Sequence, residues 1–226
     1  MTTRSASPKP DARPDTHGMV VIHRGLRRES RLLAELIAAV APGDTARARV
    51  LATHFRDYLL GLSNHHHGED DHLWPPLLAR VDIEADLVLR MEAQHEGVAA
   101  TLARAEAALP GWEATAGEAE RDVLVAALTE HRVVLVEHLD EEEESLLPLA
   151  ARHLSVAEWD LLGEHFLEST PKPKLLFFLG MVLEEADATE RATILGALPL
   201  PARLLWYAVG RPAYTRRMRR IRNTAR

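Results

Sequence analysis

The chain has no cysteine among its 226 residues, which excludes disulfides, cysteine nucleophiles, iron–sulfur clusters and thiolate-held zinc. Any metal must therefore rest on nitrogen and oxygen donors. Aromatic residues are only 5% of the total, too few for a chain built on aromatic-rich strands. No apolar run reaches the ~18–20 residues that cross a bilayer, since Leu175–Leu183 is short and Ile194–Val209 is broken by Pro199, Pro201 and Arg203. The opening segment Met1–Asp15 is polar and proline-rich and lacks the apolar core of an export signal, so it reads as a disordered leader on a cytoplasmic protein.

Ala, Leu, Glu and Arg dominate what remains, a composition that favours helices throughout. The net charge of −7 is uneven. Eight arginines and no acid follow Pro201, which leaves residues 1–200 at −15.

Apolar residues recurring at three- and four-residue steps predict four long helices. The first runs from Thr16 to Val40 through Met19, Leu26, Leu33 and Ile37, with His23 on the same stripe, and stops at Pro42-Gly43. The second opens at Asp44 or Thr45 and carries Leu51, Phe55, Tyr58 and Leu62, then His65 and Glu69, before Pro75-Pro76. Asp82 is expected to cap the third, whose seam is Val88, Met91, His95, Val98, Leu102 and Leu109, ended by Pro110-Gly111. The fourth, Gly117 to Ala151, places Leu124, Leu128, His131, Leu135, His138 and Glu142 in line. Long helices joined by short loops predict an all-α, up-down-up-down four-helix bundle.

Ser155-Val156-Ala157-Glu158 has the capping-box pattern, so a fifth helix is expected to Glu168. Beyond the linker Thr170–Pro173 come shorter pieces, Leu175–Glu185, Ala188–Leu198 and Pro212–Arg222. The expected organisation is a leader over 1–15, a metal-binding bundle plus fifth helix over 16–168, and a helical appendage with a basic tail over 169–226.

Self-comparison exposes a repeat. His65–Pro75 aligns with His138–Pro148 as His, three residues, Glu, two acids, one residue, Leu, one residue, Pro, at an offset of 73. His23-Arg24-Gly25-Leu26 aligns with His95-Glu96-Gly97-Val98 at an offset of 72. One helical hairpin thus occurs twice. Residues four apart share a helix face, so His65/Glu69 and His138/Glu142 can each direct an imidazole and a carboxylate inward. Carboxylates able to bridge two ions and imidazoles able to terminate them form the donor set of a di-iron site in a bundle core. A lone His-x-x-x-Glu is usually a surface pair, and the second copy is what separates this pattern from chance. The run His65-His66-His67 also allows His66/Asp70 and His67/Asp71 at the same spacing; the repeat favours His65/Glu69, with His66 a fallback donor.

These motifs resemble the hemerythrin-like HHE cation-binding family: a histidine on the first and third helices and His-x-x-x-Glu on the second and fourth. The resemblance spans residues 16–168. It implies that His23, His65, Glu69, His95, His138 and Glu142 bind two non-heme, carboxylate-bridged iron ions that meet dioxygen, peroxide or nitric oxide. Oxygen-carrying members have a second histidine four residues before that on the third helix, where this chain has Met91. That departure implies an open coordination position, or a substitute acid such as Asp70 or Glu143, and favours redox reactivity or sensing over reversible oxygen carriage.

Tyr58 and His131 occupy equivalent seam positions two turns before the paired histidines, as a hydrogen-bonded polar layer or a proton route. Three functions fit the pattern: a di-iron protein binding or reducing a small ligand, with an oxidoreductase as its enzymatic form; an iron- or oxygen-sensing module without turnover; and a metal-free helical interaction module. The basic tail is expected to dock on the acidic bundle or on a second copy in a homodimer, not on nucleic acid or a membrane, because no base-reading module accompanies it.

Overall fold

The computed structural model describes residues 13–81 and 84–223. The expected Asp82 cap and most of the Met1–Asp15 leader lie outside the described residues. The described residues form a helical bundle with no strand. Four long helices make its frame: α1 (His17–Ala38), α2 (Thr45–His72), α4 (Ala85–Thr115) and α5 (Glu118–Glu141), with the short α3 (Trp74–Leu78) between the second and third of them. Around the frame, α1 touches α2 and α5, and α4 touches the same two.

Local chemistry sets the boundaries. The Asp44 carboxylate accepts the Arg47 amide at 2.9 Å and so caps α2. Gly43 takes a φ of 80°, a left-handed turn that a side chain resists, and its amide donates to the Ala116 carbonyl at 3.1 Å, tying the α1–α2 turn to the α4–α5 turn. Ala116 itself ends α4 in the left-handed region at φ 48°.

α2 ends before Pro75-Pro76 as expected, whereas the helices around Pro110 and Pro148 differ from expectation. Pro110 does not end α4, which runs on to Thr115 because Leu109 and Trp112 on either side are buried in the core. Burying a tryptophan is worth ~3–5 kcal/mol by the cost of its removal, enough to offset the ~3 kcal/mol penalty of an internal proline. Pro75 and Pro76 lie in α3, and Pro75 occupies its first turn, where a missing amide costs nothing. Before Pro148, α5 passes through a π-helical turn (Glu142–Leu146), in which the Leu147 amide bonds the Glu142 carbonyl, and continues as α6 (Leu147–His153). The expected single helix from Gly117 to Ala151 is therefore interrupted at the ligand-bearing repeat, a place where π-turns often occur.

The Ser155–Glu158 capping box starts α7 (Val156–Ser169) as expected, and α7 lies along α2. Pro173 belongs to the first turn of α8 (Lys172–Glu185) instead of to a linker. After α9 (Ala188–Ala197), the chain forms a continuous rod: α10 (Leu200–Leu205), a second π-helical turn (Trp206–Gly210) and α11 (Arg211–Arg222), with no break at Gly210 or Pro212. Buried Phe177, Phe178, Met181, Tyr214, Met218 and Ile221 continue the apolar core of the frame, so the C-terminal helices pack on the bundle. Charge completes the docking. Lys174 reaches the buried Asp57 at 2.5 Å, Arg217 pairs with the same carboxylate, and Arg222 pairs with Glu184 at 2.6 Å.

The core has two parts along the bundle axis. One holds Leu33, Phe55, Leu62, Val98, Leu128 and Leu135; the other holds Leu73, Trp74, Leu77, Met91, Leu146 and Leu149. On α2, α4 and the α5 repeat, the expected donor residues fall between these two parts. Met91 is thus a packing residue.

A Cβ added to Gly180 of α8 would come within 2.4 Å of the Tyr214 ring of α11. Gly180→Ala should therefore cost ~1–3 kcal/mol by overpacking, against a helix-propensity gain of at most ~1 kcal/mol. Urea unfolding checks this; an unchanged or raised midpoint would show that α11 does not seat on α8 this closely.

Candidate metal centre

Seven side chains converge between the two core regions. His23 comes from α1; His65, His66 and Glu69 from α2; His95 from α4; His138 from α5; Glu142 from the first π-helical turn. All seven are at most 9% exposed. They fall into two four-residue groups able to hold an ion, His23, His65, Glu69 and Glu142 in one and His66, Glu69, His95 and His138 in the other, with donor atoms in each group within 4.8 Å of one another. Glu69 belongs to both.

The carboxylates stand between imidazoles. Glu69 lies 3.4 Å from His65 Nε2 through one oxygen and 3.4 Å from His95 Nε2 through the other. One Glu142 oxygen lies 3.4 Å from His23 Nε2 and 3.7 Å from His138 Nε2. In the second group the His66 and His95 rings stack at 4.1 Å, and His138 meets both edge-on at 5.2 and 4.7 Å.

The sequence repeat brings its six residues together and adds His66, whose participation the repeat alone did not select. Adjacent residues project about 100° apart on a helix, yet both His65 and His66 reach the centre, one toward each donor group. Asp70 and Glu143 do not join either group.

Those two acids hold the imidazoles from behind. His95 Nδ1 donates to Asp70 at 2.7 Å, and Asp70 also accepts the Trp74 indole N–H at 2.8 Å. His23 Nδ1 donates to Glu143 at 3.0 Å, and Glu143 is held by Arg27 at 2.5 Å. His138 Nδ1 donates to the Gln94 carbonyl oxygen at 3.2 Å, and the Gln94 amide donates to Glu141 at 2.7 Å. An imidazole that donates from Nδ1 presents Nε2 as a lone pair, the tautomer a metal requires. Gln94 carries no periodicity signal and was invisible in the sequence.

Every inward atom lacks a partner. Nε2 of His23, His65, His66, His95 and His138 and all four oxygens of Glu69 and Glu142 are buried without a hydrogen bond, nine of the thirteen such atoms among the described residues. An orphaned buried polar group costs about 1–3 kcal/mol. Nine together rival the ~5–15 kcal/mol that holds a domain folded. This donor set fits a pair of metal ions, which would satisfy all nine at once.

Burial, reinforced by neighbouring imidazoles, holds His65 and His66 well below the usual histidine range and lowers His138 to about 3. Burial alone would lower His95 too, but Asp70 and Glu69 outweigh it and carry it to about 9. Burial raises Glu69, and burial together with the Glu69 charge raises Glu142 to about 8. Burial thus disfavours the charged form at His65, His66, His138, Glu69 and Glu142, while the two acids beside His95 favour its cation.

Deeper in the first core region, the Tyr58 hydroxyl donates to His131 Nε2 at 2.7 Å, and His131 Nδ1 donates to Thr101 Oγ1 at 3.1 Å. Thr101 in turn donates to the Val98 carbonyl at 2.8 Å. Burial raises the Tyr58 phenol well above its ordinary value and lowers His131 to about 4. Because the folded value lies below the unfolded ~6.5, the His131 contribution is complete above pH 6.5 and is lost as pH falls toward 4, by up to about 3 kcal/mol. His131→Gln should flatten the decline in unfolding free energy between pH 6.5 and 4 by that order. An unchanged slope in parallel denaturant titrations would place the acid lability elsewhere.

The family model described as Hemerythrin HHE cation binding domain matches residues 15–150, which include all seven converging residues and leave α7 to α11 outside. No curated protein and no solved structure matches the chain significantly. With the match covering more than half of the sequence, the chain belongs to the hemerythrin HHE cation-binding domain family.

Proposed function

We propose that this chain holds two non-heme iron ions and uses them to bind or reduce a small ligand such as dioxygen, peroxide or nitric oxide. The observation that carries the reading is the set of nine partnerless buried donor atoms divided into two groups with a common carboxylate. His66, His95 and His138 would hold one ion and His23, His65 and Glu142 the other, with Glu69 available to both. A pair of irons so held supplies reversible electron storage and a binding position for a small diatomic or peroxidic ligand. Residues 16–168 form the metal-holding unit in this reading, with 169–226 an appendage docked on it.

His66 supplies a fifth imidazole from α2, so Met91 leaves no deficit in the donor set and no substitute acid is needed. The donors are unevenly divided, three histidines on one side and two on the other. The protein's own contribution at His23 is orientation, since Glu143, held by Arg27, fixes its ring.

Glu69→Ala removes the carboxylate common to both groups and should lower bound iron to less than about half the wild-type content, with loss of any azide-dependent absorption. Asp70→Ala keeps every donor but removes the acceptor that orients His95, and should weaken metal binding about 10–100-fold in chelator competition. His131→Gln should leave iron content unchanged. Full iron occupancy in Glu69→Ala would overturn this assignment of the site.

A further inference from the structure

The rod from Leu200 to Arg222 carries an outer face that the metal centre leaves unused. Its inner face is buried through Trp206, Gly210, Tyr214, Met218 and Ile221. The outer face divides into two halves. Leu200, Leu204, Leu205, Tyr207 and Val209 are 49–61% exposed, half of the large apolar side chains that are exposed among the described residues. Further along, Arg211, Arg216, Arg219 and Arg220 are exposed and make no ion pair among the described residues, unlike Arg217 and Arg222. Tyr207, Arg211, Thr215, Arg216 and Arg219 line one open hollow of about 530 Å³, and there is no acid in the sequence from Pro199 to Asn223.

Three guanidinium groups around a hollow repel one another, and a row of exposed leucines beside them leaves apolar surface in water. Each feature has its own partner chemistry. Phosphate oxyanions satisfy the arginines and hydrocarbon satisfies the leucines; a surface that offers both, one beside the other, is an anionic phospholipid leaflet. A nucleic acid meets only the arginines. A second copy could offer the acidic face of α5, where Glu137, Asp140 and Glu144 surround Val133 and Val136. However, Asp140 already pairs with Arg27, and joining rod to α5 face is a head-to-tail contact that propagates into open chains instead of closing.

We propose that the outer face of the 200–222 rod docks the protein on anionic phospholipid surfaces, with the leucines and Tyr207 entering the headgroup–acyl boundary and Arg211, Arg216 and Arg219 taking lipid phosphates. No described helix is long and apolar enough to cross a membrane, so the contact is peripheral. The proposal is independent of what the metal centre does.

The test is co-sedimentation of the full-length protein with vesicles of phosphatidylcholine containing about one third phosphatidylglycerol, against pure phosphatidylcholine, at ~0.1 M salt. Binding to the anionic vesicles alone is expected. Leu200→Ser/Leu204→Ser and, separately, Arg216→Glu/Arg219→Glu should each lower partitioning by roughly tenfold or more with unchanged thermal midpoints. Three outcomes overturn the proposal: no binding to anionic vesicles; binding unaffected by the leucine pair, which reduces the face to nonspecific charge or a nucleic-acid surface; or a dimer in solution that the leucine pair dissolves, which assigns the face to a second copy.

Discussion

Nine inward-facing donor atoms without hydrogen bonds, packed at one level of a helical bundle, are the constraint around which the protein is organised. A fold tolerates one or two such atoms, but this number is tolerable only where something else satisfies them. A bundle supplies the geometry because its helices present side chains to a common axis, and one turn from each of four helices is enough to collect the whole set. The helical interruptions at both His-x-x-x-Glu copies put irregular backbone at or just after the carboxylate: a break at Leu73 follows Glu69, and the π-helical turn begins at Glu142 itself.

Around that level, the structure spends polar groups on direction. Asp70, Glu143 and Gln94 each accept an Nδ1 proton, which turns Nε2 of His95, His23 and His138 toward the centre. Trp74 and Arg27 hold the accepting acids in turn. The same helix that brings His23 brings Arg24, Arg27 and Arg28, which reach Glu190, Glu143 and Glu185, so α1 is bonded both to the centre and to the C-terminal helices. Docking of those helices is therefore part of what keeps His23 in place.

The long frame helices were legible because their apolar residues recur at helical spacing, and the central residues were legible because a duplicated hairpin repeats its histidines and glutamates in register. Two classes of feature were not. Proline positions misled because the signal for a break is local, while the burial of Trp112 that carries α4 past Pro110 is tertiary. Gln94 escaped because it lies outside the repeat and acts at a distance through His138, and His66 was legible only as a fallback donor because the repeat register selects His65, whereas the centre is wide enough for two adjacent directions. The His65-His66-His67 run is the signal that made His66 a fallback donor. The basic tail was partly legible, since Arg217 docks on Asp57 of the bundle and Arg222 on Glu184 of α8, while Arg211, Arg216 and Arg219 face outward.

The most direct test of the account is metal analysis of wild-type protein expressed with adequate iron, combined with X-ray absorption at the iron edge. About two irons per chain, with histidine-type outer-shell scattering and a nearby second iron, is the result the geometry calls for. Less than about a tenth of an iron per chain after attempted reconstitution, with helicity and thermal stability intact, would contradict it, because nine partnerless buried donors would then be tolerated without any ion.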